Sequence, residues 1–148
     1  MYKRILVPTD GSETAMQAAE TALYLARHCH SEMVAFAVAC PRDYLGGAER
    51  GLVSGTGPLA EKLLREADGC AEAVAARARG AGVPCDTETA WSLSPGEAIV
   101  AAADARQCDL IVMGSHGMRR ATDELAGSVT RHVLARSAVP VLVLRPSA

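Results

Sequence analysis

Apolar positions along the chain follow two alternating periods. Residues 4–8, Met33 to Cys40, Asp109 to Met113 and Val139 to Leu144 are short, nearly continuous apolar runs. This is the pattern of strands covered on both faces. Between the first two, Ala15, Ala18, Ala19, Ala22, Leu25, Ala26 and Cys29 recur at three- and four-residue intervals. A second stripe, Leu59, Leu63, Ala67, Cys70, Val74 and Ala78, stops at Gly80-Ala81-Gly82. Both predict amphipathic helices, the first capped by Ser12 with Glu13 in its first turn. Val83 to Trp91 alternates Cys85, Thr87, Thr89 and Trp91 against Asp86, Glu88 and Ala90, so one face is expected to be solvated, as on an edge strand. Ser94-Pro95-Gly96-Glu97 reads as a capping box with proline at the first helical position, predicting a helix to about Gln107. A last helix is predicted from Val129 to Ser137, before the final strand.

This alternation implies right-handed crossovers and an α/β fold, a doubly wound five-stranded parallel sheet with helices on both faces. Such sheets bind ligands beyond the carboxyl ends of their strands, where the strand order reverses. The stretch from Met113 to Thr130 lies at one such end. Gly114, Gly117 and Gly127 punctuate it, and Ser128 and Thr130 add hydroxyls where a helix starts. Glycines allow positive φ and close backbone approach, and a first helical turn offers unpaired N–H groups with partial positive charge. The combination is an anion cradle, and phosphate is the usual anion. The plainer reading is a loop whose glycines only permit tight turns.

Composition narrows the rest. The 148 residues are expected to form a single domain over 1–148, with 49% apolar residues but only 3% aromatics, so the core must be built from Ala, Val, Leu and Ile. Fifteen basic against seventeen acidic residues give a net charge of −2. That is no electrostatic footprint for nucleic acid or an anionic membrane, so a phosphate site must be local. Five cysteines lie scattered without a C-x-x-C pair, which suggests free thiols in a reducing compartment. With no signal-length or membrane-spanning apolar run, a cytoplasmic location is expected.

Several features are expected to carry no chemistry. Pro41 to Pro58 is a glycine-rich connection whose composition suggests mobility. Within it, Gly55-Thr56-Gly57 imitates part of a dinucleotide fingerprint, but no strand leads into it and Pro58 intrudes. His28-Cys29-His30 is no metal site, because residues two apart on a helix point to different sides; histidines at a helix C-terminus suit the helix dipole. No P-loop ending in Gly-Lys-Ser/Thr and no G-x-S-x-G elbow occurs in the sequence.

The spacing G-x2-G-x9-G-S, together with Pro8-Thr9-Asp10-Gly11-Ser12 after the first strand, resembles the universal stress protein family in its ATP-binding subgroup. The resemblance spans nearly the whole chain. It implies the adenine nucleotide alpha hydrolase-like fold with strand order 3-2-1-4-5, which would put the Thr9-Asp10 turn and the glycine loop on one crevice. It also implies ATP with Mg²⁺ as ligand. Pro8, Thr9 and Asp10 would line the nucleoside end and Val38 would lie against the adenine. Met113, Gly114, His116, Gly117, Gly127, Ser128, Val129 and Thr130 would surround the ribose and phosphates. Asp10 bonds the ribose or helps hold Mg²⁺ on the phosphates, or else shapes an Asx turn. His116 donates to phosphate or faces solvent, and Arg119 or Arg120 could reach a phosphate from the loop. Asp123-Glu124 departs from the more apolar filling of that spacer in the family.

The same resemblance implies a homodimer through the final strand, Val141-Leu144, whose apolar edge would otherwise stay open. It also implies an ATP-dependent stress-response or signalling regulator working by population shift. Two alternatives stay open. One is a slow ATP-hydrolysing or nucleotidyl-transfer enzyme of the same fold, and the other a nucleotide-free partner-binding dimer.

Overall fold

A computed structural model describes residues 1–41, 55–117 and 126–146. Five strands, β1 (Arg4–Pro8), β2 (Glu32–Ala39), β3 (Cys85–Trp91), β4 (Leu110–Gly114) and β5 (Val141–Leu144), form one sheet of order β3-β2-β1-β4-β5. Every neighbouring pair is parallel. The helices between them are α1 (Glu13–Cys29), α2 (Pro58–Gly80), α3 (Pro95–Ala105) and α4 (Ser128–Arg136). The expected mobile connection lies mostly outside the described residues, as does the spacer holding Arg119, Arg120, Asp123 and Glu124.

Strand alternation divides the core into two layers. Ile5, Val7, Met33, Ala35, Leu110 and Val112 face α1 and α2, whereas Leu6, Val34, Phe36, Ile111 and Met113 face α3 and α4. On the first side the helices present little but alanine: Ala18, Ala22 and Ala26 from α1, Ala71, Ala75 and Ala78 from α2. Side chains this short let helix backbones approach the sheet closely, which suits a core with few aromatics. Phe36, the single phenylalanine, is the largest of the fully buried side chains.

The start of β1 is tied to the start of β4 through Asp109. Its carboxylate accepts from Lys3 N at 2.9 Å and from Arg4 N at 3.1 Å. At the sheet's far edge, Asp86 and Glu88 of β3 share Arg106, at 2.9 and 3.3 Å. Pairs near the surface contribute about 0–1 kcal/mol.

Two helix starts differ from expectation. The second helix begins at Pro58, with Gly57 as its N-cap at φ 94°. Proline fits there because the first helical N–H has no intrahelical acceptor to lose. Gly55-Thr56-Gly57 is therefore the run-in to α2. At α3 the Ser94 side chain makes no capping bond. Instead the Ser92 hydroxyl donates to Ser94 O and accepts from Ser94 N, so the turn is closed one step earlier. By contrast Ser12 caps α1 as expected, accepting from Ala15 N at 3.2 Å. The left-handed His30 (φ 57°) closes the same helix.

Candidate functional site

The strand order reverses between β1 and β4, where Ile5 pairs with Leu110 and Leu6 with Ile111. Two loops leave the sheet side by side at this point. After β1, Thr9 N donates to Phe36 O at 2.8 Å, which anchors the turn to β2. Gly11 N donates to the Thr9 hydroxyl at 3.1 Å, and Ser12 N donates to Asp10 Oδ1 at 3.0 Å. The Asx turn is therefore present, and it engages one oxygen of Asp10. Gly11 sits at φ 80°, a left-handed conformation that side chains disfavour. Beneath it lies Cys70 of α2, whose Sγ would be 2.9 Å from a Cβ at position 11. Burial pushes the Cys70 thiol up, and the charges of Asp10 and Glu66 push it further.

After β4 the loop is held by a circuit of backbone bonds. Ser115 N donates to Leu144 O at 2.8 Å, and Gly127 N donates to Ser115 O at 2.7 Å. The Thr130 hydroxyl donates to Gly114 O at 2.9 Å. Its one proton thus staples the first turn of α4 to the end of β4, although it was expected to serve a ligand. Ser128, at the first position of α4, is exposed. The N-cap residue of α4, Gly127, has no side chain with which to cap the helix. The first-turn N–H groups of a helix are donors without intrahelical acceptors.

Positive φ plays no part at the three glycines of the loop motif. Among the described glycines it occurs at Gly11, Gly55, Gly57 and Gly82, not at Gly114, Gly117 or Gly127. Close approach is what the loop needs. A Cβ at Gly114 would lie 2.8 Å from Thr14 Cγ2, and one at Gly117 would lie 2.2 Å from Asp10 Oδ2. The two loops touch there, across the crevice.

Between them runs a cleft of about 400 Å³. Pro8, Thr9, Asp10, Val38, Met113, Gly114, His116, Gly117, Gly127, Ser128, Val129 and Thr130 all line it, so these twelve residues singled out from sequence border one space. The lining also includes Ala15, Phe36, Cys40, Pro95 and Ile99. Sequence reasoning missed these, but a signal existed. Phe36 and Cys40 lie two residues either side of Val38 and share its face by strand period, and Pro95 opens α3 with Ile99 one turn on. Chemically the wall divides in two. Strand β2, Met113 and the start of α3 give an apolar slot, and the two loops give Thr9, Asp10, His116 and Ser128.

The lining bears on Mg²⁺ as well. Among the described lining residues Asp10 is the one carboxylate, and no group of three or more His, Cys, Asp or Glu gathers among the described residues. Mg²⁺ takes one or two carboxylates and fills its shell with phosphate oxygens and water. This donor set fits an ion delivered on a phosphate ligand, which Asp10 would contact.

Fold and cleft together define a doubly wound α/β domain with a crevice at its switch point. The universal stress protein family model matches residues 1–145, and the chain belongs to that family. It is 35% identical over 147 residues to a universal stress protein of Thermus aquaticus, covering 98% of this chain and 100% of that one. The solved structure of MJ0577 from Methanocaldococcus jannaschii superimposes with a TM-score of 0.86 at 31% identity, covering 100% and 99% of the two chains. A universal stress protein solved in complex with cAMP matches with a TM-score of 0.64 at 27% identity, over 99% of each chain.

Proposed function

We propose that the cleft binds an adenine nucleotide, ATP delivered as its Mg²⁺ complex, and that occupancy regulates a stress-response or signalling role. One observation carries this reading: residues from opposite ends of the chain converge on one cleft of nucleotide-accommodating size. The apolar slot of Phe36, Val38, Ile99 and Met113 suits a base. The glycine loop and the uncapped start of α4 suit phosphates. The family relative solved with cAMP supports the adenine class. ATP can act as a switch only by binding one conformation better than another.

Two further parts of the reading concern surroundings. Strand β5 is an edge, and Leu142 on it is 38% exposed. An apolar edge strand of this kind is covered by pairing with a second copy, which supports a homodimer. All five cysteines are free, which supports a reducing, cytoplasmic setting. Among the described residues no helix is long and apolar enough to cross a membrane.

The test is calorimetric titration of nucleotide-stripped protein with ATP and Mg²⁺, followed by assay of the same sample for released phosphate. Stoichiometric binding with little phosphate is the expected result. Sustained phosphate release would replace the switch by a hydrolase, and absence of binding would remove the nucleotide reading.

A further inference from the structure

One buried side-chain polar atom of the cleft has no partner among the described residues: His116 Nε2. The other ring nitrogen, Nδ1, lies 3.1 Å from the Ser115 hydroxyl. Ser115 is completely buried, and its backbone is fixed on both sides by the bonds to Leu144 and Gly127. A buried hydroxyl carries one proton that needs an acceptor, whereas a spare lone pair is tolerated more easily. His116 Nδ1 is the acceptor within reach of that proton. With Ser115 donating to Nδ1, the neutral imidazole carries its own proton on Nε2. The unpaired atom is therefore a donor.

Its position identifies the acceptor it lacks. A Cβ at Gly127 would lie 3.6 Å from His116 Cδ2, the ring carbon bonded to Nε2. That edge of the ring thus sits at the start of α4, whose N-cap Gly127 has no side chain to cap the first turn. A side-chain N–H and a helix N-terminus meet at one place, and the group that satisfies both is an oxyanion.

We propose that Ser115 is a positioning residue, holding His116 as its Nε2–H tautomer so that the ring donates to a phosphate oxygen of the bound nucleotide. This rests on the nucleotide reading above. It adds a residue that touches no ligand yet fixes the polarity of one that does. A ring turned to the other tautomer would present a lone pair to the phosphate and repel it.

The test combines long-range ¹H–¹⁵N NMR of His116 with titrations of ATP and adenosine into wild type, Ser115→Ala, His116→Ala and the double variant. Wild type is expected to show the proton on Nε2 before any ligand is added, and Ser115→Ala a mixture of tautomers. Ser115→Ala should weaken ATP binding about tenfold and leave adenosine affinity unchanged. In the His116→Ala background the Ser115 substitution should cost nothing further, because no ring remains to orient. A proton on Nδ1 in wild type would overturn the proposal. So would an equal loss from Ser115→Ala with and without the ring. The tautomer is read on ligand-free wild type, so a proton on Nδ1 overturns the role of Ser115 even where the variant does not fold. Wild type that binds no ATP would instead remove the nucleotide reading, and with it the phosphate as acceptor.

Discussion

The Asp10 carboxylate fills the space that a side chain at position 117 would need, with Oδ2 placed 2.2 Å from where a Gly117 Cβ would be built. The carboxylate is held there by its other oxygen, which accepts from Ser12 N. Glycine at 117 is therefore a requirement of Asp10 and not of local backbone torsion. Gly117→Ala is expected to push the carboxylate aside while leaving the sheet intact, since position 117 is exposed. Affinity for Mg²⁺-ATP should fall at least about tenfold, and stability should change by no more than about 0.5 kcal/mol. Titration and urea unfolding on one preparation check both halves, and unchanged affinity would show that the contact is irrelevant to binding.

Gly114 and Gly127 should separate in the opposite sense. A Cβ at 114 would press on Thr14, 2.8 Å from Cγ2 and 3.3 Å from the backbone carbon, at the first turn of α1. Overpacking of this sort costs about 1–3 kcal/mol. A Cβ at 127 meets its nearest atom at 3.5 Å, an ordinary contact. Gly114→Ala should lower the unfolding midpoint in urea, whereas Gly127→Ala should leave it near wild type. Equal losses in the two would refute the steric assignment.

Cys108 gives a stability change in alkali. Burial pushes its thiol up from 9.0 to about 11, against the pull of Arg4 and Arg106. Between those values the unfolded chain has lost a proton that the folded chain keeps, so stability is complete below pH 9 and falls as pH rises towards 11. The loss from this group is about 2 kcal/mol. Subtracting the pH profile of Cys108→Ala from that of wild type, by urea unfolding between pH 8 and pH 11, isolates it from the lysines and tyrosines. A flat difference would contradict the shift.

Leu142→Lys tests the edge strand. A charge on the exposed face of β5 blocks strand-to-strand association, and lysine is a common device for it. Sedimentation should show a dimer for wild type and a monomer for the variant, with the circular dichroism of the two alike. A wild-type monomer would leave the exposed Leu142 without this explanation.

The sheet was legible because Ile5-Leu6-Val7 and Leu110-Ile111-Val112-Met113 are unbroken apolar runs too short for a buried helix, which suits a strand covered on both sides. Periodicity could not supply the order of the strands. Nothing in the pattern of β1 says that it pairs with β4, and that relation came from the resemblance carried by the two loop motifs. Most of the loop residues of the cleft followed from the same motifs, whereas Ala15, Phe36, Cys40, Pro95 and Ile99 did not, and neither did the individual tasks. Thr130 was read as a ligand donor, and its hydroxyl is taken by Gly114 O, a backbone group whose position only the folded loop defines. Ser115 drew no attention because a serine between Gly114 and His116 has no signature of its own. Its importance lies in complete burial beside an imidazole.

The hydrogen bonds of Lys3 and Arg4 to Asp109 span 106 and 105 positions of the chain. Such pairings carry a loop-closure cost that is lost before their contacts form. The crevice between β1 and β4 is accordingly absent from any chain in which these distant segments have not met. A ligand selective for it would recognise only finished molecules, slowing their unfolding and drawing the equilibrium toward the native state without speeding the search that reaches it.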